Sequence, residues 1–258
     1  MSKRKATVPS MAQSDEALKE QLRAEGWKFS SDAAPAAPVV LASAEEVGEQ
    51  LVGKVCLNGR QAIDEILKTM GSDARPAVQA SGCEAISMLA DNDAGRLYVI
   101  PKGAVTAVVS AMHGGTAEPA VQAKGCSALA NLTIGDGEAA VLQAFGLEAV
   151  MAAMSAHPAD YSVQLKGCAA LGNIGFGEAG EAAVVRQGGV DAIVRALLAH
   201  GADVKLVEEA CDALANLVAN EQGKQSLLAL GGVAMLEAAR SAFPGCASVG
   251  ELLQSLQG

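Results

Sequence analysis

The sequence predicts an all-α solenoid built from repeated three-helix units. Three observations carry this. First, Cys83, Cys126, Cys168 and Cys211 recur at intervals of 43, 42 and 43 residues, each within one short phrase. The phrase reads Val78-Gln79-Ala-Ser-Gly82-Cys83, Val121-Gln122-Ala-Lys-Gly125-Cys126, Val163-Gln164-Leu-Lys-Gly167-Cys168 and Leu206-Val207-Glu-Glu-Ala210-Cys211. A fixed period of this size is the mark of a repeat architecture. Second, the chain of 258 residues is 50% hydrophobic but only 3% aromatic, a mix that suits closely stacked helices better than an aromatic-rich sandwich. Third, apolar residues fall at helical spacing in every unit, in stripes that no helix can bury alone.

In chain order, residues 1–42 read as a tail, with one short helix predicted over 14–25: Ser14 is its N-cap, Leu18 and Leu22 share a face, and Gly26 ends it. Trp27 and Phe29 follow, then a Ser/Ala/Pro linker over 30–38. So large an apolar ring as Trp27 is expected to dock on the solenoid rather than stay in water.

Residues 43–258 form the solenoid. A partial leading unit spans 43–75, in which Ile63, Ile66, Leu67 and Met70 repeat the third-helix stripe. Four full repeats lie near 76–118, 119–160, 161–203 and 204–245, and a partial cap covers 246–258. The third repeat shows the plan. A long helix over 160–174 is followed by a short one over 178–187. A third helix over 190–200 carries Ile193, Val194, Leu197 and Leu198 as one stripe. Gly175, Gly188-Gly189 and Gly201 are expected to break these helices with left-handed caps. Pro76 and Pro119 stand at the first helical turn, which tolerates proline. In the last segment Gln254 falls where a cysteine is expected, as suits an outer face that meets water.

The six cysteines do not read as a disulfide set. Equivalent residues in stacked repeats sit about 10 Å apart, whereas a disulfide needs Cα atoms within about 7 Å. The periodic thiols are therefore expected to be small core residues in a reducing compartment. The net charge is −10, and residues 61–258 hold 11 basic against 21 acidic side chains. Such a body argues against nucleic acid as a partner and favours a basic one. No uncharged stretch reaches the length of a membrane span, and no apolar run follows Lys3-Arg4-Lys5, so the expected location is cytoplasmic. A nuclear address would rest on those three residues alone.

The phrase Ala128-Leu129-Ala130-Asn131-Leu132 returns as Leu171-Gly172-Asn173-Ile174 and Ala213-Leu214-Ala215-Asn216-Leu217. With a period near 42, three helices per unit, and Gly-Gly before the third helix at Gly188-Gly189 and Gly231-Gly232, residues 45–258 resemble the armadillo-repeat family. Its leucine-rich-repeat kinase type and its small stand-alone members are nearest in wording. The resemblance implies a right-handed superhelix whose long helices line a concave groove, where Asn131, Asn173 and Asn216 would bond the backbone of an extended peptide. Met88 interrupts this file. Importin-α-like members carry Trp four residues before the Asn; here Ser127, Ala169 and Asp212 stand there, so the lysine-gripping slots of that branch are missing.

The candidate groove residues are thus Asn131, Asn173, Asn216, Lys124, Lys166 and Ser127. An amide offers both a donor and an acceptor to an extended chain; the alternative is that it caps its own helix. Replacing all three Asn by Ala is expected to weaken partner binding with little change in melting temperature. Lys124 and Lys166, against Glu208 and Glu209, imply a groove running from basic to acidic. Gly82, Gly125 and Gly167 lie mid-helix and imply close helix approach. His113, His157 and His200 recur at 44 and 43 residues and are expected to meet terminal carbonyls of their own helices. No Walker loop, Gly-x-Ser-x-Gly or His-Glu-x-x-His appears, so no enzyme, metal or cofactor is expected. The expected function is a protein-binding scaffold with an extended peptide in its groove. The alternative is a regulatory or self-associating module that uses the convex face or the solenoid ends.

Overall fold

The structure, a computed structural model, describes residues 42–257. The helix expected over 14–25, Trp27, Phe29, the linker and the basic start lie outside the described residues. Within them every regular element is helical. A leading pair, α1 (Ala44–Asn58) and α2 (Ile63–Ser72), precedes four units of long, short and third helix. These are α3 (Pro76–Leu89), α4 (Asp93–Val99) and α5 (Ala104–Gly114), then α6 (Pro119–Thr133), α7 (Glu138–Gln143) and α8 (Gly146–Ala156). There follow α9 (Tyr161–Ile174), α10 (Glu178–Arg186) and α11 (Gly189–His200), then α12 (Val204–Leu217), α13 (Glu221–Ala229) and α14 (Gly232–Ala242), and finally α15 (Ala247–Gln257). Short 3₁₀ turns at Gly59–Ala62, Ile100–Lys102 and Gly135–Gly137 fill the corners.

Entry into the array is set by Ser43. Its Oγ accepts from the Glu46 N–H at 3.1 Å, while the Ser43 N–H donates to Glu46 Oε2 at 2.7 Å, a reciprocal capping box. Pro76 and Pro119 do open their helices. The long helices pack in one row, α1 on α3, α3 on α6, α6 on α9, α9 on α12 and α12 on α15, and α2, α5, α8 and α11 form a second row. Between the rows runs a continuous apolar core. Cys83, Cys126, Cys168 and Cys211 file through it with no exposed surface, all as free thiols. Gln254 is exposed on the last helix, as its polarity demands.

The sequence phrase now has a physical reading. Its Val fills the core, and its Gln reaches back to the third helix of the unit before. Gln122 Nε2 donates to Met112 O and Gly115 O, both at 2.8 Å, and Gln164 Nε2 donates to Met154 O at 2.8 Å and His157 O at 3.0 Å. Gln79 does the same to Met70 O and Asp73 O. The last carbonyls of a helix have no partner within it; these buried amides supply one. In the fourth unit Val207 stands at this position and brings no donor. The glycine of the phrase makes room for a methionine: a Cβ on Gly82, Gly125 or Gly167 would run into Met70, Met112 or Met154 respectively.

Several sequence expectations are corrected. Leu198 is not part of the buried stripe; it is 73% exposed, while Ile193, Val194 and Leu197 are buried. Gly175 and Gly201, which end a long and a third helix, are not left-handed caps: their φ values are −78° and −67°. Gly188 is left-handed as expected, at φ 83°, and Gly103 and Gly231 match it between the short and third helices at 93° and 77°; Gly59 and Gly135, which follow α1 and α6, also have positive φ, 53° and 69°.

Phe145 occupies the same turn in the second unit, at φ 60°, with its ring 64% exposed. A side chain in the left-handed region costs about 1–2 kcal/mol, and so exposed a ring recovers little of that by burial. Phe145→Gly is expected to raise stability by about 0.5–1 kcal/mol after allowing for the looser unfolded chain. A lowered urea midpoint would contradict this.

Candidate functional site

The row of long helices presents one face away from the core, and the sequence-predicted residues lie along it. Asn131, Asn173 and Asn216 are half-buried at equivalent places on α6, α9 and α12. Each turns its amide N–H towards the preceding long helix: Asn131 Nδ2 donates to Ser87 O and Ser87 Oγ, both at 3.0 Å, Asn173 Nδ2 to Ala130 O at 2.9 Å and Asn216 Nδ2 to Gly172 O at 2.9 Å. These carbonyls belong to the last turns of α3, α6 and α9, where no intrahelical donor remains. The asparagines are therefore caps, but for the neighbour's helix rather than their own. A small residue, Ser87, Ala130 or Gly172, carries each of these carbonyls. At Gly172 a Cβ would lie 3.0 Å from the Ala213 Cα, so glycine sets the close approach of α9 and α12.

This revises two expectations. Each amide contributes a structural hydrogen bond of about 0.5–1.5 kcal/mol, so alanine at all three positions must lower the melting temperature. The donor half of each amide is also spent. The described hydrogen bonds leave Oδ1 unengaged in all three, and none of the three is a buried orphan.

The charges along this face also differ from expectation. Lys124 Nζ binds Glu84 Oε1 of the preceding long helix at 2.6 Å, which neutralises the expected basic end. Ser127, beside it, is half-buried, with its Oγ 3.4 Å from Ser87 Oγ. Lys166 is exposed. Beyond it Glu208, Glu209 and Asp212 lie on α12. Burial, then the nearby Asp212 charge, push the half-buried Glu209 carboxyl above its ordinary range, with Lys166 opposing. The face thus runs from neutral to acidic.

The histidines fall in two registers. His157 and His200 are equivalent, and their Nε2 atoms lie 2.7 Å from Thr116 O and 2.9 Å from Pro158 O. A carbonyl only accepts, so both rings donate from Nε2 to the connection of the preceding unit, not to their own helix ends. His113 is two residues out of step; Gly115 holds the equivalent place. Among the described residues no cluster of three His, Cys, Asp or Glu side chains could hold a metal ion.

Sequence reasoning missed a second glycine ladder. Gly95, Gly137, Gly180 and Gly223 stand in the first turns of the short helices or just before them. A Cβ on any of them would overlap the backbone carbonyl oxygen of Leu89, Leu132, Ile174 or Leu217. Their spacing of 42, 43 and 43 was visible. Glu138 completes the contact at α10, where its Oε1 accepts from the Gly180 N–H at 2.6 Å.

The fold and this face define an α-solenoid of stacked three-helix units joined by side-chain amide caps. Residues 179–219 match the Armadillo/beta-catenin-like repeat family. Armadillo repeats generally mediate protein–protein interaction, and the family is generally non-enzymatic. Two crystal structures of engineered proteins share the fold. One has a TM-score of 0.68 at 23% identity, over 83% of this chain and 90% of its own. The other has a TM-score of 0.66 at 23% identity, over 83% and 88%. No curated protein matches the chain.

Proposed function

We propose that the chain is a non-enzymatic interaction module that takes an extended, basic protein segment along the outward face of α3, α6, α9 and α12, the concave side of an armadillo array. The observation that carries this reading is the file of three equivalent asparagines with their donors spent and their Oδ1 acceptors open. A surface that offers acceptors and, towards α12, carboxylates suits a ligand that brings donors: backbone N–H groups and Lys or Arg side chains.

Asn173 tests it. Alanine and aspartate both remove the Nδ2 cap and destabilise, but aspartate keeps an acceptor. Partners retained from a native extract by the wild-type chain are expected to stay bound to Asn173→Asp, and to bind Asn173→Ala about tenfold more weakly, at a temperature where both variants are folded. Equal retention by the two variants would remove the groove role.

A further inference from the structure

A second surface lies at the edge where the long helices end, around α4 and the 3₁₀ turn that follows it. The Tyr98 ring is exposed and carries two cations: the Arg60 guanidinium carbon is 5.7 Å from its centroid and Lys102 Nζ is 5.3 Å away. Arg60 is held in place by one bond, Nη1 to Ala94 O at 3.1 Å, and among the described residues no carboxylate pairs with it. Lys102 shares its charge with Asp64 at 2.8 and 2.9 Å. Leu97, next in sequence to Tyr98, is 65% exposed, and Leu57, three residues before Arg60, is 61% exposed. Leu97, Ile100 and Pro101 form one wall of a cavity of about 290 Å³, and Ile134 and Gly137 form the other; Asp93, whose charge Arg96 meets, and Asp136 also line it. Ile134, itself exposed, sits one turn beyond Asn131.

Packing does not require this patch. In register, Leu97, Tyr98 and Lys102 correspond to Ala139, Ala140 and Ala144 in the second unit and to Ala182, Ala183 and Gln187 in the third. The buried position between them is alike throughout, as Val99, Val141, Val184 and Leu227. The arginine of α4 that packing does use is Arg96, buried and bonded to Ala90 O at 2.8 Å and to Asp93. The first unit thus places an aliphatic side chain, an aromatic ring and a cation where its sisters carry small or neutral ones, and the leading segment adds Leu57 and Arg60. Tyr and Arg beside an apolar dimple are the composition of interface hot spots. The cavity is smaller than the roughly 300–1,000 Å³ of a drug-sized ligand site, so it fits a side chain rather than a cofactor.

We propose that this surface docks an acidic peptide segment with an aliphatic or aromatic anchor. The anchor enters the cavity between Leu97 and Ile134, and a neighbouring carboxylate meets Arg60 and Lys102 over the Tyr98 ring. Charge complementarity selects the occupant. In a chain of net charge −10, Arg60 stands on this ring beside the Asp64-paired Lys102 and has no carboxylate partner among the described residues, and a guanidinium is well shaped for one. This partner is opposite in charge to the one proposed for the long-helix face, so the two surfaces can be occupied independently.

The test uses the full chain and fluorescein-labelled octapeptides: a Glu-rich one with a central Leu-Phe pair, the same peptide with Ser-Ser in place of the pair, and a Lys-rich version. Anisotropy titrations are expected to show saturable binding of the first peptide alone, weakened by salt. Arg60→Glu with Lys102→Glu should weaken it at least tenfold, and so should Leu97→Ala with Tyr98→Ala, which copies the second unit and so keeps the fold. Absence of binding at millimolar peptide, or unchanged affinity in both double variants, overturns the proposal. So does equal binding of the Ser-Ser peptide or of heparin, which would show a bare anion site.

Discussion

Gly180→Ala is expected to lower stability by more than about 3 kcal/mol, although the same change in an open helix raises it by about 1 kcal/mol. Gly180 lies in the first turn of α10, which crosses the end of α9 backbone against backbone. An added Cβ would overlap the Ile174 carbonyl oxygen, lie 2.8 Å from its carbonyl carbon and stand 3.0 Å from Glu138 Oε1. The two Ile174 atoms are backbone and cannot swing aside as the end of a side chain can. Ordinary overpacking costs about 1–3 kcal/mol because side chains give way; here a helix must move, and the Glu138 bond to the Gly180 N–H moves with it. For a domain of this size the loss corresponds to a melting temperature lower by roughly 6–12 °C. Gly53→Ala is the control. Gly53 lies inside α1, where an added Cβ would meet nothing within 4 Å, and its substitution should stabilise. Equal Tm shifts for the two variants would refute the backbone contact.

The second large effect is alkaline unfolding. Burial pushes the Cys83, Cys126 and Cys211 thiols up to about 12, from an ordinary value of 9.0, and pushes Cys168 further still. In the unfolded chain these thiols ionise near their ordinary value; in the folded chain they stay neutral. Above pH 9 the unfolded state therefore binds fewer protons, and stability falls as pH rises. The contribution is fully present below about pH 9 and is lost on the way to about pH 12. Each thiol accounts for a little over 1 kcal/mol per pH unit, so four remove about 5 kcal/mol per unit, against a total stability of about 5–15 kcal/mol. Urea midpoints should collapse between about pH 9 and 11. In Cys126→Val with Cys168→Val the slope should be about half. A midpoint flat to pH 10.5 in the wild-type chain would contradict the burial of these thiols.

The cysteine rhythm made the repeat legible because a core position tolerates few residue types and so recurs strictly. The order of long, short and third helix followed from it. The role of the asparagines was legible only in part. Their position on α6, α9 and α12 followed from the period, but the direction of the amide depended on a carbonyl 43 or 44 residues earlier, and a helix face read alone gives no sight of its neighbour. Lys124 misled for the same reason, since Glu84 lies across the interface. The histidines show the opposite failure. Intervals of 44 and 43 looked regular, yet the local repeat between Met112 and Met154 is 42, which puts His113 out of step. Gly180 and its equivalents went unread because glycine at a helix start is common, and only the backbone carbonyl it meets across the contact makes it necessary.

The inter-repeat ladders also give the stack a direction. In each of them the donor belongs to the later unit and the acceptor to the earlier: Asn173 to Ala130, Gln164 to Met154, His200 to Pro158, Gly180 to Glu138. The array is therefore polar in the sense that a filament is polar, with unlike ends. The end facing the C-terminus offers carbonyl oxygens, which water serves readily while they wait. A chain synthesised from its N-terminus presents these acceptors first, so each new unit brings its donors to a surface already complete and no amide need be buried before its partner exists.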